Sequence, residues 1–282
     1  MSLSRSLRRL QQKNRHAAAR RQQALFEQLE PRLILSADQV SALTPQLDPQ
    51  GLPADGGVVC TSEASNPPPG IASGLPGATA ETESNNSRIL ANFLPLTEDP
   101  ALSGLWLGRG SGRQDPATNQ TYESDPDYWR FEALAGDIVS VSVDTPASNL
   151  DTYVWLRSAA DTVLAEDNNQ GPDNDAFISH YTIPSSGSYY IEVGKYYYET
   201  TPGDYTLRLE LARGIQQETD DNYRNDSIGN ANGLTMTPGG THLRATVAGA
   251  VMGPESSNTD EDYFALGLLN VGNTVELNLR TP

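Results

Sequence analysis

The sequence holds 282 residues, with 19 Lys and Arg against 36 Asp and Glu and a formal net charge of −17. A body this acidic repels phosphates, which argues against a nucleic-acid partner, and it attracts divalent cations. A single cysteine, Cys60, excludes a disulfide framework, and no apolar run approaches the roughly 18–20 residues of a membrane helix.

Residues 1–35 are basic: Arg5, Arg8, Arg9, Lys13, Arg15, Arg20, Arg21 and Arg32 stand against Glu27 and Glu30. The helix formers up to Glu30 suit a basic helix that touches a membrane surface or nucleic acid, and the same charge density suits a solvated, disordered tail. "RLILSA" is too short and too late for the roughly 7–15-residue apolar stretch of an ordinary secretory signal. Phe26 to Asp38, "FEQLEPRLILSAD", resembles the LEPR-XLL motif found at the N-termini of large, repeat-rich exported or surface proteins of bacteria. Leu29, Glu30, Pro31 and Arg32 match it, and Ile34 stands where the motif usually has Leu. That resemblance implies an address for residues 1–38. Residues 39–80 are dense in Pro, Gly, Ser and Ala without a periodic apolar face, as expected of a disordered linker.

From Glu81 the pattern changes to alternation. Trp129, Phe131 and Ala133 share one face of "DYWRFEA", as do Val139, Val141 and Val143 in "DIVSVSVD". Tyr189, Ile191 and Val193 do so in "GSYYIEVG", and Tyr205, Leu207, Leu209 and Leu211 in "GDYTLRLELA". Period-two segments separated by turn residues predict an all-β fold, an antiparallel sandwich. The Gly-rich "LGRGSGR" (Leu107 to Arg113) is expected to be a turn, since no helix pattern follows it to make a nucleotide site. The acidic "EDNNQGPDNDA", with Asp167, Asp173 and Asp175, is expected to be a solvated hairpin connection.

A repeat organises the chain. "DPDYWRFEALAGDIVSVSVDTP" (Asp125 to Pro146) returns as "DEDYFALGLLNVGNTVELNLRTP" (Asp260 to Pro282), and "ETESNNSRILAN" from Glu81 parallels "DNYRNDSIGNAN" from Asp221. In that alignment Asp221 falls on Glu81, Tyr223 on Glu83 and Asn225-Asp226-Ser227 on Asn85-Asn86-Ser87. The first unit spans 81–213. The second, 218–282, stops at the equivalent of Pro146, so the chain is expected to be the N-terminal part of a longer protein.

Taken together, Glu-x-Glu-x-Asn-Asn-Ser, Asp-x-Asp-Tyr-aromatic, "AGD", "SGSYYIEV" and "GDYTL" resemble the bacterial pre-peptidase C-terminal (PPC) domain, whose relatives include the collagen-binding domains of clostridial collagenases. The resemblance implies a jelly-roll-like β-sandwich in residues 81–213, a truncated copy in 218–282, secretion, no catalysis, and often calcium at the N-terminal junction.

Calcium takes six to eight oxygen ligands. Glu81, Glu83, Asn85 and Asn86 offer oxygens from one extended segment, and Asp125 and Asp127, alternate residues at a strand start, can meet them. These matched positions are the ligands in the calcium-binding relatives. Asp221, Asn225, Asp226, Asp260 and Asp262 form the corresponding set in the second unit, with Asp220 or Asn222 able to shift in. The competing reading is that both sets only make turns.

Tyr190, Tyr196, Tyr197 and Tyr198 cannot all be buried in one alternating strand, so they offer either a weak ligand surface or strand-forming residues beside a hairpin. His16, His180 and His242 are scattered, and no hydrolase, zinc-protease or phosphate-loop motif occurs. Within these residues no enzyme is expected. The expected role is a calcium-stabilised spacer, adhesion or substrate-contacting module of an exported or surface protein. The alternatives are an accessory part of a secreted hydrolase whose catalytic domain lies further on, or a collagen-like or polysaccharide binder. Expected partners are an extracellular polymer or protein surface and downstream domains of the same chain.

Overall fold

Alternation along the chain resolves, in the computed structural model, into facing sheets. The structure describes residues 33–35, 77–99, 103–115, 125–196, 201–253 and 259–281. The chain divides into Met1–Pro31 and Arg32–Pro282, and every described residue belongs to the second part. The basic head apart from 33–35, most of the linker with Cys60, and Tyr197 and Tyr198 lie outside the described residues.

The first repeat is a two-layer β-sandwich. One layer runs β10 (Ala176–Thr182), β7 (Ile138–Asp144), β12 (Gly203–Ala212), β5 (Leu105–Gln114), β2 (Thr79–Ala80), with β4 (Thr97–Glu98) also on β5. The other runs β3 (Asn92–Phe93), β6 (Asp127–Ala133), β11 (Gly187–Lys195), β8 (Thr152–Ser158), β9 (Val163–Asp167). Pairing is antiparallel except for β2 on β5 and β3 on β6, which are parallel. The four strands read from alternation are β6, β7, β11 and β12, and their inward residues Trp129, Phe131, Val139, Val141, Val143, Ile191, Val193, Leu207, Leu209 and Leu211 are sealed from solvent. Burial of this apolar face holds the layers together. Strand pairing extends slightly before Glu81: Thr79 and Ala80 pair with Gly110 and Ser111.

Two expectations are corrected here. "LGRGSGR" is no turn but lies in the ten-residue strand β5, paired along its whole length with β12. Its glycines mark close approach. A Cβ at Gly110 would come within 3.0–3.2 Å of three Trp129 ring atoms, and one at Gly112 would strike the Tyr205 ring and the Glu81 carboxylate. Glycine in a strand leaves room for a large neighbour. The second correction concerns "EDNNQGPDNDA". It crosses from β9 in one layer to β10 in the other, so it is not a hairpin. Nor is it fully solvated: Asp167 is buried and accepts from the Gln170 and Phe177 amides, while Asp175 accepts from Thr145.

The second repeat reuses the opening of the first. β13 (Gln216–Gln217) pairs in parallel with β17 (Val247–Gly249) as β2 does with β5, and β14 (Asn232–Gly233) with β18 (Phe264–Ala265) as β3 does with β6. β15 (Thr237–Gly239) and β16 (His242–Arg244) form a small hairpin. β1 (Leu33–Leu35) runs antiparallel to both β17 and β19 (Leu279–Arg280). The repeats touch: Leu105 and Leu107 from the outer side of β5 pack with Ile215 and Ala248. Arg280 reaches Asp99 at 3.4 Å, and Ser179 Oγ accepts from the Asp220 amide at 2.7 Å.

Candidate metal centres

Hydrogen bonds common to both repeats fix which residues correspond. Thr82 N–H donates to the Asn92 amide oxygen at 3.0 Å, and Thr219 N–H does the same to Asn232 at 2.6 Å. Glu81 accepts from the Arg113 amide, and Glu218 from the Ala250 amide. Asp125 accepts from the Asp115 amide, and Asp260 from the Met252 amide. Tyr128 and Tyr263 amides donate to the carbonyls of Asn85 and Asn225. Glu218 is therefore the counterpart of Glu81, and Asp220 that of Glu83. The alignment that set Asp221 on Glu81 and Tyr223 on Glu83 is corrected by three residues.

The reason is an insertion between Asp220 and Asn225, in which Asn222 and Tyr223 adopt φ of 57° and 54°, the left-handed region rarely taken by a tyrosine. Asp221 faces Arg224 at 3.5 Å rather than the cluster, and the Tyr223 hydroxyl donates to the Gly253 carbonyl. Glu218 and Asp220 were missed as a matched pair. The signal was present in "ETE" (Glu81 to Glu83) against "ETD" (Glu218 to Asp220).

In the first cluster, oxygens of Glu81, Glu83 and Asp127 lie within 4.8 Å of one another. Protein donors surround them. Asp127, fully buried, accepts from Gln114 Nε2 at 2.7 Å. With its nitrogen turned to the carboxylates, the Asn85 amide donates to Glu83 at 3.1 Å and Asp127 at 3.2 Å, and its oxygen accepts from Asn92 at 2.8 Å. Glu81 also accepts from the Tyr205 hydroxyl at 3.2 Å. Asp125 accepts from Asn86 Nδ2 at 3.1 Å and from the Asp115 amide at 2.7 Å. Burial, then the Glu81 charge, raises Asp127 to about 9, and burial likewise raises Glu81 and Glu83.

The second cluster is built differently. Oxygens of Asp220, Asp226 and Asp260 lie within 4.8 Å of one another, with Glu218, Asn225 and Asp262 adjoining. Each carboxylate is anchored through one oxygen. Asp220 accepts from the Asn225 amide, Asp226 from the Glu261 amide, and Asp260 from the Met252 amide. Glu218 accepts from the Ala250 amide and Asp262 from Asn225 Nδ2. The other oxygen of each, and Asn225 Oδ1, is buried with no N–H or hydroxyl donor among the described residues, although the Glu218 and Asp262 carboxyls pair with each other. Six oxygens thus stand without an N–H or hydroxyl donor among the described residues, and leaving even one such group buried and unsatisfied costs about 1–3 kcal/mol. Burial is also the leading cause that raises Asp260 to about 8, Asp220 to about 7, and Glu218 and Asp262 above the ordinary range, with neighbouring carboxylates adding to it.

This donor set fits a hard cation that demands oxygen ligands. The six acceptors belong to Glu218, Asp220, Asn225, Asp226, Asp260 and Asp262, and a bound ion would neutralise carboxylates that otherwise repel.

The tyrosines are less suggestive. Tyr190 is half-buried with the Arg88 guanidinium 5.6 Å from its ring centre, and Tyr196 is exposed. His180 is exposed, its ring nitrogen 3.2 Å from the Glu218 carbonyl. No helix among the described residues is long and apolar enough to cross a membrane.

Residues 125–195 match the family described as bacterial pre-peptidase C-terminal domain. Among solved structures, the pre-peptidase C-terminal domain of a collagenase from Bacillus anthracis is 19% identical, covering 42% of this chain and 93% of its own, with a TM-score of 0.29. Two PliG proteins, periplasmic inhibitors of g-type lysozyme, are also similar. That of Aeromonas hydrophila is 13% identical over 43% of this chain and 96% of its own, with a TM-score of 0.30. That of Salmonella Typhimurium is 21% identical over 37% and 90%, with a TM-score of 0.27. No curated protein matches.

Proposed function

We propose that the two repeats are non-catalytic, calcium-stabilised β-sandwich modules of an exported or cell-surface bacterial protein, acting as a spacer or substrate-contacting unit. The family match at residues 125–195 supports the module role, because PPC domains are non-catalytic and accompany secreted peptidases. The observation that carries the calcium reading is the set of six buried, donorless oxygens in the second cluster.

Calcium there would also stiffen the junction. The loop that supplies Glu218 and Asp220 is seated on the first repeat through Ser179, His180 and the Gln170 carbonyl. The deciding experiment is thermal unfolding of the whole chain in excess EDTA and then in excess calcium. A ligand specific to the folded state, at a hundredfold excess over its Kd, stabilises by about 2.7 kcal/mol, or roughly 5–10 °C for a domain of this size. An unfolding midpoint that is the same in both conditions would sink the reading.

A further inference from the structure

The corrected register carries a second conclusion, which rests on the calcium reading above. We infer that the two acidic clusters are unequal: the second takes the divalent cation, while the first is closed by the protein's own donors. The positions that decide this are Asn86 against Asp226 and Gln114 against Val251.

Both clusters inherit one frame: Glu81 with Glu218, Glu83 with Asp220, Asn85 with Asn225, Asp125 with Asp260 and Asp127 with Asp262. What differs is the supply of donors. Asn86 points its amide nitrogen at Asp125. Its counterpart Asp226 brings a further carboxylate and joins the metal-spaced group instead.

Gln114, fully buried, donates to Asp127 at 2.7 Å and to the Val193 carbonyl at 3.3 Å. Turning its amide over to offer the oxygen would forfeit both bonds. One residue before the Met252 amide, where Gln114 precedes the Asp115 amide, the second repeat has Val251, whose side chain can donate nothing.

The buried donorless oxygens follow the same division. All five carboxylates of the second cluster contribute one; those of the first contribute none, and the buried donorless oxygen beside them is Gln114 Oε1. A fifth carboxylate and the loss of the Asn86 and Gln114 donors leave the second cluster with charge and lone pairs that a cation would balance. The first cluster has one carboxylate fewer and keeps both donors.

The test is calorimetric titration of calcium into the whole chain after stripping with chelator, with folding monitored by circular dichroism. The wild type is expected to bind one equivalent, Asp226→Asn to lose that isotherm, and Asp127→Asn to leave it unchanged. Asn86→Asp combined with Gln114→Val is expected to raise the stoichiometry to two. Two equivalents of comparable affinity in the wild type, an Asp226→Asn variant that still binds, or loss of the isotherm in Asp127→Asn would overturn the inference. So would a folded double variant that still binds one equivalent. If the double variant does not fold, the two single substitutions decide. No binding by the wild type would instead remove the calcium reading itself.

Discussion

The two acidic clusters share a backbone frame and opposite chemistry. In the first, Asn86, Gln114 and Tyr205 turn donors toward the carboxylates. In the second, backbone amides hold one oxygen of most carboxylates and the other is left facing its neighbours. A count of acidic residues therefore does not identify a cation site; the balance of donors against acceptors does, because buried acceptors without donors are costly and one cation can satisfy several of them together.

Three measurements break or sharpen this contrast. The largest effect is expected in hydrogen exchange. Removing calcium from the whole chain should accelerate amide exchange tenfold or more in residues 216–253 and 259–281, because local opening there loses about the same 2.7 kcal/mol that the ion supplied. Exchange within 125–196 should change much less. Equal acceleration in both repeats would show that both clusters depend on the ion.

The second is pH. Asp220 at about 7 and Asp260 at about 8 stay protonated in the folded chain where their unfolded forms, near 4, have already ionised. The folded state then binds more protons, so without cation its stability falls as pH rises from about 4 to about 8. Calcium should remove most of that decline, with little effect at pH 5 and the greatest at pH 8. Asp127, raised to about 9, should leave a smaller residual slope that calcium does not relieve. Unfolding midpoints across pH 5 to 9, with EDTA and with calcium, measure both slopes; a flat EDTA series would contradict the burial of these carboxylates.

The smallest effect concerns the contact between repeats. Arg280→Ala removes a partly exposed pair with Asp99 and should cost under about 1 kcal/mol. A larger loss in chemical denaturation would mean that the repeats unfold as one unit through this contact.

Much of the first sandwich was legible from alternation. A core-facing strand must place apolar side chains at every second position, so β6, β7, β11 and β12 could be read directly. β5 could not, because Gly108, Gly110 and Gly112 replace apolar residues where Leu94, just after β3, and Trp129 and Tyr205, from β6 and β12, fill the space. A glycine that yields volume to a distant ring looks, in sequence, like a glycine that makes a turn. The candidate cation residues of the first repeat, and Asn225, Asp226, Asp260 and Asp262 of the second, were legible from the repeat. Glu218 and Asp220 fell out of register because the inserted residues before Asn225 could be placed only by the hydrogen bonds of Thr219 and Asn232.

By itself the sequence determined the strand class, the repeat and the acidic character of the segments that begin each unit, since each of these is a local pattern of residue types. Tertiary structure alone decided which acidic residues converge and which oxygens are left without donors. Gln114 and Tyr205 are distant in sequence from the carboxylates they serve, 13 residues from Asp127 and 124 from Glu81; the facing of the two layers brings Gln114 of β5 to Asp127 of β6, and the pairing of β2 and β12 with β5 brings Tyr205 to Glu81.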